Sequence, residues 1–237
     1  MNFSSPQTQS FLIYILDILG TVIFAITGGV RGVRLKLDFL GVIVFACTVG
    51  VGGGMMRDCL IGAVPVAAFK NEIYLLSCIT TGLVVFFLAP LIRKVRGIIQ
   101  VCDAFGLGVF TAIGATKGAA MGLSFIGIIL CGVITAVGGG MIRDVMSGRI
   151  PAVLTSDFYA TASLLGGTLY CVLMKIEGLH FFWEFLIIMT FVTGIRLLAL
   201  RYHLQLPVSG GNAASIILRK GKIKQKKRPA SLYVDKK

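Results

Sequence analysis

Seven apolar runs, each close to the length that spans a bilayer, constrain this chain more than any other feature. They lie at about residues 11–30, 39–62, 72–90, 100–120, 123–147, 157–175 and 179–200. A transmembrane helix needs about 20 mostly apolar residues. Charged residues make up only 14% of the chain, against about 25% in soluble domains. The sequence therefore predicts an all-α membrane protein with seven transmembrane helices.

Lys and Arg are concentrated in alternate connections between these runs. The links after the first, third and fifth runs carry them, for example Arg31 and Arg34 in the first link, whereas the segment before the first run has none. Cytoplasmic connections are enriched in Lys and Arg. This distribution predicts a multi-pass protein of the cell inner (plasma) membrane, with its N-terminus outside and its C-terminus in the cytoplasm.

Residues 201–237 hold ten Lys or Arg against one acid, Asp235. A basic segment beside the last span is attracted to anionic lipid headgroups on the cytoplasmic side. Apart from Tyr233 the basic run has no interleaved aromatic residue, which disfavours binding of single-stranded nucleic acid. We interpret 201–237 as a basic cytoplasmic tail with membrane lipids, and no nucleic acid, as its partners.

The chain repeats itself at an offset of 86 residues. The sequence VGGGMMRD at 51–58 recurs as VGGGMIRD at 137–144, and flanking positions match at the same offset, including Gly20 with Gly106 and Phe24 with Phe110. We predict a first three-helix repeat at 11–90, a second at 100–175, a seventh transmembrane helix at 179–200 and the tail at 201–237. Because three spans is an odd number, the second repeat enters the membrane inverted, an arrangement that places sites near the midplane.

Each repeat carries a glycine triplet inside its second apolar run, Gly52, Gly53 and Gly54 in the first and Gly138, Gly139 and Gly140 in the second. A glycine in a helix interior costs about 1 kcal/mol relative to alanine. Close packing of helices through small residues is one explanation. The other, which we favour, is that the second and fifth helices are broken there and that freed carbonyls line a path for cations.

The pattern GGGxxRDxxxGxxP, present at 52–65 and at 138–151, resembles the prokaryotic branch of the trimeric intracellular cation (TRIC) channel family, also labelled a glycine-transporter domain. The resemblance covers about residues 11–200. It implies a homotrimer with one pore per subunit, which conducts monovalent cations and mainly potassium, and whose pore is lined by the two glycine triplets. It implies no cofactor beyond the permeant cation.

Charged residues inside apolar runs are functional candidates because they are costly in a bilayer. Rises of 1.5 Å per residue place Asp17 and Arg57 at the same, outer face, and the repeat places Asp103 and Arg143 at the inner face. If these pairs neutralise one another, Asp58 outside and Asp144 inside remain as unpaired negative charges at the pore mouths, which would attract cations. The alternative is that all six residues form structural ion-pair networks.

Lys117 lies near the outer end of the fourth run. It is a possible gate, although a lysine extending its amine to the interface explains it as well.

Two other classes of function, a secondary transporter and an enzyme, are alternatives to a channel. Inverted repeats with broken helices are also typical of secondary transporters, so a transporter of a small amino acid such as glycine is the alternative. No HExxH, P-loop or GxSxG motif is present, and we do not expect an enzyme.

Overall fold

The computed structural model describes residues 6–92, 97–155, 158–176 and 181–202. Nearly all of the predicted basic tail, residues 203–237, lies outside these ranges. Ten helices lie within them: α1 (Pro6–Arg34), α2 (Phe39–Leu60), α3 (Ala67–Lys70), α4 (Ile73–Phe87), α5 (Ala89–Ile92), α6 (Ile98–Ala120), α7 (Phe125–Met146), α8 (Ala152–Thr155), α9 (Ala160–Leu173) and α10 (Phe181–Tyr202). The regular structure of these described residues is all helical, as predicted.

Five of the described helices, α1, α2, α6, α7 and α10, are long and apolar enough to cross a membrane. A helix of 22 residues, such as α2, is about 33 Å long and matches the roughly 30 Å thickness of the hydrocarbon core. In the third and sixth predicted spans, α4 and α9 have 15 and 14 residues and reach only about 21–23 Å. The chain is a multi-pass membrane protein, and its count of seven spans stays a prediction.

The same local signals begin and end the second long helix of each half. Asp38 caps α2 by accepting from the Gly41 amide at 2.7 Å, and Ser124 caps α7 by accepting from the Gly127 amide at 3.4 Å. Such side chains satisfy amides that a helix start leaves unpaired. After the helices, Gly62 and Gly148 have φ of 72° and 65°, a conformation that favours glycine.

The first two helices of each half pack through a glycine. A Cβ on Gly28 of α1 would lie 2.9 Å from the Val49 Cβ and closer still to the carbonyl oxygen of Phe45 on α2. A Cβ on Gly114 of α6 would lie 2.5 Å from the Thr135 hydroxyl on α7. These glycines let the helix backbones approach closely, as small residues do in membrane proteins.

The two halves meet where α2 crosses α7, and their contacts are reciprocal. A Cβ on Gly139 would lie 2.5 Å from the carbonyl oxygen of Val49, and a Cβ on Gly53 would collide with the carbonyl oxygen of Thr135. Thr135 and Gly139 are the 86-residue counterparts of Val49 and Gly53. Helices α1 and α6 also meet through counterparts, because Phe24 packs against Phe110 with their ring centres 5.0 Å apart.

The predicted break at the glycine triplets is wrong. Both α2 and α7 run as continuous helices through Gly52–Gly54 and Gly138–Gly140. The cost of glycine in a helix is offset by packing, because the middle glycine of each triplet admits the backbone of the other helix. The structure therefore bears out the packing explanation, which was the less favoured of the two.

Helix α10 has no counterpart in the first half and packs against α6 and α9. Gly108 of α6 faces it, since a Cβ there would lie 2.6 Å from the Met189 carbonyl oxygen. Arg196 of α10 is buried, with its guanidinium carbon 4.9 Å from the centre of the Tyr159 ring. This stacking joins α10 to the polar side chains of the second half.

Candidate functional site

Apart from Arg196, the buried charged side chains of the described residues gather in two clusters, one for each RD pair of the repeat. We call Asp17, Arg57, Asp58, Tyr74 and Lys117 the first cluster, and Thr27, Arg31, Asp103, Arg143, Asp144 and Ser147 the second cluster. In both clusters the arginine Nε donates to the aspartate that follows it in sequence, over 2.8 Å for Arg57 and 3.0 Å for Arg143.

The same aspartates also fix the turn that follows each helix. Asp58 Oδ2 accepts from the Ala67 amide at the start of α3 over 3.0 Å, and Asp144 Oδ2 accepts from the Ala152 amide at the start of α8 over 2.9 Å. Each carboxylate thus uses one oxygen for the arginine and the other for a helix amide that would lack a partner. The repeated motif thus builds the same hydrogen-bonded arrangement of arginine, aspartate and helix amide in both halves.

Lys117 joins the first cluster from α6. Its Nζ lies 2.6 Å from Asp58 Oδ1, with 31% of the lysine side chain exposed and 1% of the aspartate side chain. Asp58 therefore holds two cations, Lys117 and Arg57. This ion pair is stronger than an amine extended to the interface, because its acidic partner is buried away from water.

Asp17 does not pair with Arg57 as predicted. Its Oδ2 accepts from the Tyr74 hydroxyl over 2.8 Å, and no ion pair between Asp17 and Arg57 exists within 4.0 Å. Both residues line a cavity of about 20 Å³, enough for about one water molecule. Helix rise brought the two residues to the same cluster but could not show that the Asp17 carboxylate binds the Tyr74 hydroxyl instead.

The second cluster contains the predicted contact between Asp103 and Arg143. Arg143 Nη1 lies 2.7 Å from Asp103 Oδ1 and donates to the Thr27 hydroxyl over 3.2 Å. Arg143 lies on α7, so these two contacts join it to Asp103 on α6 and to Thr27 on α1. Its Nε binds Asp144 on its own helix. Removing one partner of a buried ion pair leaves the other uncompensated, at a cost of about 3–5 kcal/mol.

Arg31 of α1 is the 86-residue counterpart of Lys117 and joins the second cluster, but its contact differs. Its Nε donates to the Ser147 hydroxyl over 2.8 Å, and the serine in turn donates to the Arg143 carbonyl over 2.6 Å. No ion pair joins Arg31 to Asp144 within 4.0 Å among the described residues. The counterpart of Ser147 is Ile61, which has no hydroxyl to offer, and Lys117 reaches Asp58 instead.

The expectation of an unpaired carboxylate at each end is also wrong. Asp58 and Asp144 both lie in ion pairs. In the first cluster two acids balance Arg57 and Lys117. In both clusters the arginine side chain bends back to the aspartate beside it, a contact that the position of each residue along its span does not indicate.

The third glycine of each triplet differs from the other two. Gly140 makes room for the Tyr159 hydroxyl, which would lie 2.6 Å from a Cβ at that position. Gly54 lines the small cavity of the first cluster, and a Cβ there would meet nothing closer than an Arg57 nitrogen at 3.6 Å. The triplets therefore serve helix packing with their first two glycines and the polar clusters with the third.

Tyr74, Tyr159 and Arg196 belong to the site region and were not predicted. Tyr74 hydrogen bonds to Asp17, and Tyr159 lies fully buried between Gly140 and Arg196. The two tyrosines are 85 residues apart, one short of the repeat, so a comparison at a fixed offset separates them. A search that allowed a one-residue slip would have found them.

Several apolar helices of spanning length with charged side chains buried among them define a multi-pass membrane protein with two internal charged clusters. Comparison with known proteins places it more closely. A family model described as "Glycine transporter" matches residues 14–90 and 100–175. The "UPF0126 membrane protein" of Vibrio cholerae is 40% identical over 86% of this chain and 85% of its own length. The "UPF0126 inner membrane protein YadS" of Escherichia coli is 36% identical over 83% of this chain and 95% of its own.

Solved structures agree with these relatives. One described as a "TRIC trimeric intracellular cation channel orthologue from Rhodobacter sphaeroides" superposes with a TM-score of 0.78 at 30% identity, over 81% of this chain and 99% of that one. Another, described under "Structural basis for conductance through TRIC cation channels", has a TM-score of 0.76 at 30% identity, over 84% and 98%. The chain therefore belongs to the TRIC family, to which the doubled glycine motif already pointed.

Proposed function

We propose that this protein is a cation channel in which each subunit of a homotrimer carries its own pathway. The observation that carries the proposal is the pair of matched charged clusters, one on either side of the crossing of α2 and α7. The pathway runs from the first cluster past Gly54, through the region of the crossing, to Gly140 and the second cluster. The likeness to structures described as trimeric cation channels supports both the activity and the trimer.

The reciprocal contacts support an inverted repeat with a pseudo-two-fold axis. The 86-residue offset relates Val49 to Thr135 and Gly53 to Gly139, so the contact of Gly139 with Val49 has a matching contact of Gly53 with Thr135. Phe24 packs on its own counterpart, Phe110. Reciprocity of this kind is what a two-fold relation between the halves produces. A pathway along such a repeat has its constriction near the middle, where Phe24 and Phe110 are buried.

Lys117 acts as a gate at the first cluster. While its amine binds Asp58, two acids balance two bases and the amine covers the carboxylate. When the amine moves away, the cluster carries a net negative charge, which concentrates cations at the mouth. Because only part of the lysine is exposed, its release requires a movement of α6 or of the side chain toward water.

The permeant ions are monovalent cations, with potassium the main one. The protein lies in the inner membrane with its N-terminus outside, so that the first cluster is at the outer mouth and the second at the cytoplasmic mouth. The ion preference rests on the family, and the orientation rests on the uneven distribution of Lys and Arg. The basic tail at 201–237 then lies beside anionic lipid headgroups.

Single-channel recording from purified protein in planar bilayers tests the proposal. We expect unitary potassium currents, with a higher open probability in Lys117→Gln, which keeps the length of the side chain but removes its charge. Lys70→Gln is the matched control, since Lys70 is an exposed lysine outside both clusters, and it should leave open probability unchanged.

A transporter of glycine is the second candidate, favoured by the description of the matching family model. Proteoliposomes given radiolabelled glycine in the external solution distinguish the two functions. Uptake of glycine at a fixed stoichiometry, with no unitary current, would replace the channel by the transporter.

A further inference from the structure

Two of the six cysteines face one another where α2 packs against α4. The thiols of Cys47 on α2 and Cys78 on α4 are hydrogen-bonded to one another, and both cysteines are free. The Cys78 sulfur also packs on Gly50, since a Cβ there would lie 2.6 Å from it. Gly50 lies three residues after Cys47, on the same face of α2. The missing side chain at Gly50 thus admits the Cys78 sulfur beside Cys47.

The second half of the molecule does not repeat this pair. The 86-residue counterparts of Cys47, Gly50 and Cys78 are Val133, Ala136 and Leu164. Apolar side chains therefore stand at the matching positions of α7 and α9, and the packing of these helices does not require thiols. The two cysteines and the glycine that accommodates them are a feature of the first half.

The two thiols differ in their access to the membrane. Cys78 is fully buried, whereas Cys47 is half-buried. Leu40, Val44 and Cys47 follow one another along one side of α2 at helical spacing, and the first two are 65% and 45% exposed. Exposed apolar side chains on a helix of spanning length face lipid. A reagent dissolved in the bilayer thus reaches Cys47 first and finds Cys78 directly behind it.

We propose that Cys47 and Cys78 are a site of reversible oxidation, at which an apolar hydroperoxide dissolved in the membrane converts the two thiols to a disulfide. The Cys47 sulfur attacks the terminal peroxide oxygen, so that an S–O bond forms, the O–O bond breaks, and the thiol proton leaves with the alcohol. The Cys78 sulfur then attacks the sulfenic acid on Cys47. The S–S bond forms, the S–O bond breaks, and the hydroxyl leaves with the Cys78 proton as water. Two thiols lose two electrons, and the hydroperoxide is reduced to an alcohol.

The contact between the thiols favours both steps. The attacking species in thiol chemistry is the thiolate, and a hydrogen bond from the Cys78 thiol stabilises negative charge as it develops on the Cys47 sulfur. The same contact holds the second sulfur next to the sulfenic acid, so the disulfide forms before a second hydroperoxide can oxidise Cys47 further.

The disulfide has a consequence for the first cluster, and this step rests on the proposed cation channel. Tyr74 lies four residues before Cys78, on the same face of α4, and its hydroxyl donates to Asp17 over 2.8 Å. A bond from Cys78 to Cys47 ties α4 to α2 and holds Tyr74 against Asp17. A carboxylate held by that hydroxyl is less available to attract cations, so oxidation lowers the open probability.

The modification is tested without reference to current. The full chain in liposomes is reduced, treated with cumene hydroperoxide, denatured and labelled with a maleimide, and its intact mass is measured. The wild type should lose two of its six reactive thiols and become two hydrogen atoms lighter, and dithiothreitol should restore both. Cys47→Val, which introduces the residue of the second half, and Cys78→Ala should form no disulfide. Cys102→Val, at a half-buried cysteine of α6, is the matched control and should behave as the wild type.

Single-channel recording then tests the consequence. Open probability should fall at least twofold on oxidation in the wild type and in Cys102→Val, but not in Cys47→Val. If all six thiols survive, or if the disulfide joins other cysteines, the proposed site is wrong. Complete oxidation of the pair with an unchanged current would refute its link to the first cluster. A disulfide between Cys47 and Cys78 in a protein without cation current would overturn the channel but leave the modification site standing.

Discussion

Replacement of Gly139 by alanine separates the packing role of the triplets from a role in unwinding the helix. The new Cβ would lie 2.5 Å from the Val49 carbonyl oxygen and 2.7 Å from Phe24 Cδ2, while ordinary contacts begin at 3.4 Å. The crossing helices must therefore separate by up to about 0.9 Å, a gap that forfeits a quarter to a half of each dispersion contact.

The sign of the effect follows from two opposing free energies. Overpacking of a tight interface costs about 2–3 kcal/mol, and the gain in helix propensity from glycine to alanine returns about 1 kcal/mol. We expect Gly139→Ala to reduce the free energy of unfolding by roughly 1–2 kcal/mol. At about 2–4 °C per kcal/mol in a chain of this size, its unfolding midpoint in detergent falls by several degrees.

Gly54→Ala is the matched control within the same motif. A Cβ there meets only an Arg57 nitrogen at an ordinary 3.6 Å, so the propensity gain is unopposed and the midpoint should rise. If Gly54→Ala instead destabilises the protein as much as Gly139→Ala, the packing argument fails. A triplet that worked by unwinding would also lose its current in both variants, whereas we expect Gly54→Ala to fold and conduct.

Three further substitutions test individual contacts by chemical or thermal denaturation in detergent. Arg143→Gln should cost about 3–5 kcal/mol, because it leaves Asp103 buried without its counter-charge, and a loss below 1 kcal/mol would contradict the pairing. Tyr74→Phe should cost about 1–3 kcal/mol, because Asp17 then loses the hydroxyl that donates to it, and an unchanged midpoint would show that water substitutes fully. Gly62→Ala should cost about 1 kcal/mol through its positive φ alone, since no atom lies within 4 Å of the new Cβ, and a stabilised variant would refute that assignment.

The apolar runs predicted the long helices well because hydrophobic length depends on local sequence alone. The run at 39–62 became α2 at Phe39–Leu60, and the run at 123–147 became α7 at Phe125–Met146. The contact between Asp103 and Arg143 was also accessible, since helix rise fixes depth in the membrane. Rise along a helix is one coordinate of three, however, and Asp17 lies in the same cluster as Arg57 without an ion pair between them.

The glycine triplets show what the sequence could not decide. A missing side chain is required both where a helix is broken and where another backbone comes within contact distance, so the pattern alone is the same in both cases. Only the position of Val49 opposite Gly139 distinguishes them. Likewise, Arg57 and Asp58 are adjacent in sequence and adjacent residues do not face each other on a helix, so their contact depends on how the long arginine side chain bends.

The two ends of the molecule diverge at a few residues, although its centre obeys the repeat closely. Ser147 stands where the first half has Ile61, and Arg31 in the second cluster is the counterpart of Lys117 in the first cluster. The lysine amine pairs with a buried carboxylate, whereas the arginine Nε donates to a neutral hydroxyl. The same backbone thus completes one cluster with an ion pair and the other with a hydrogen bond between an arginine and a serine.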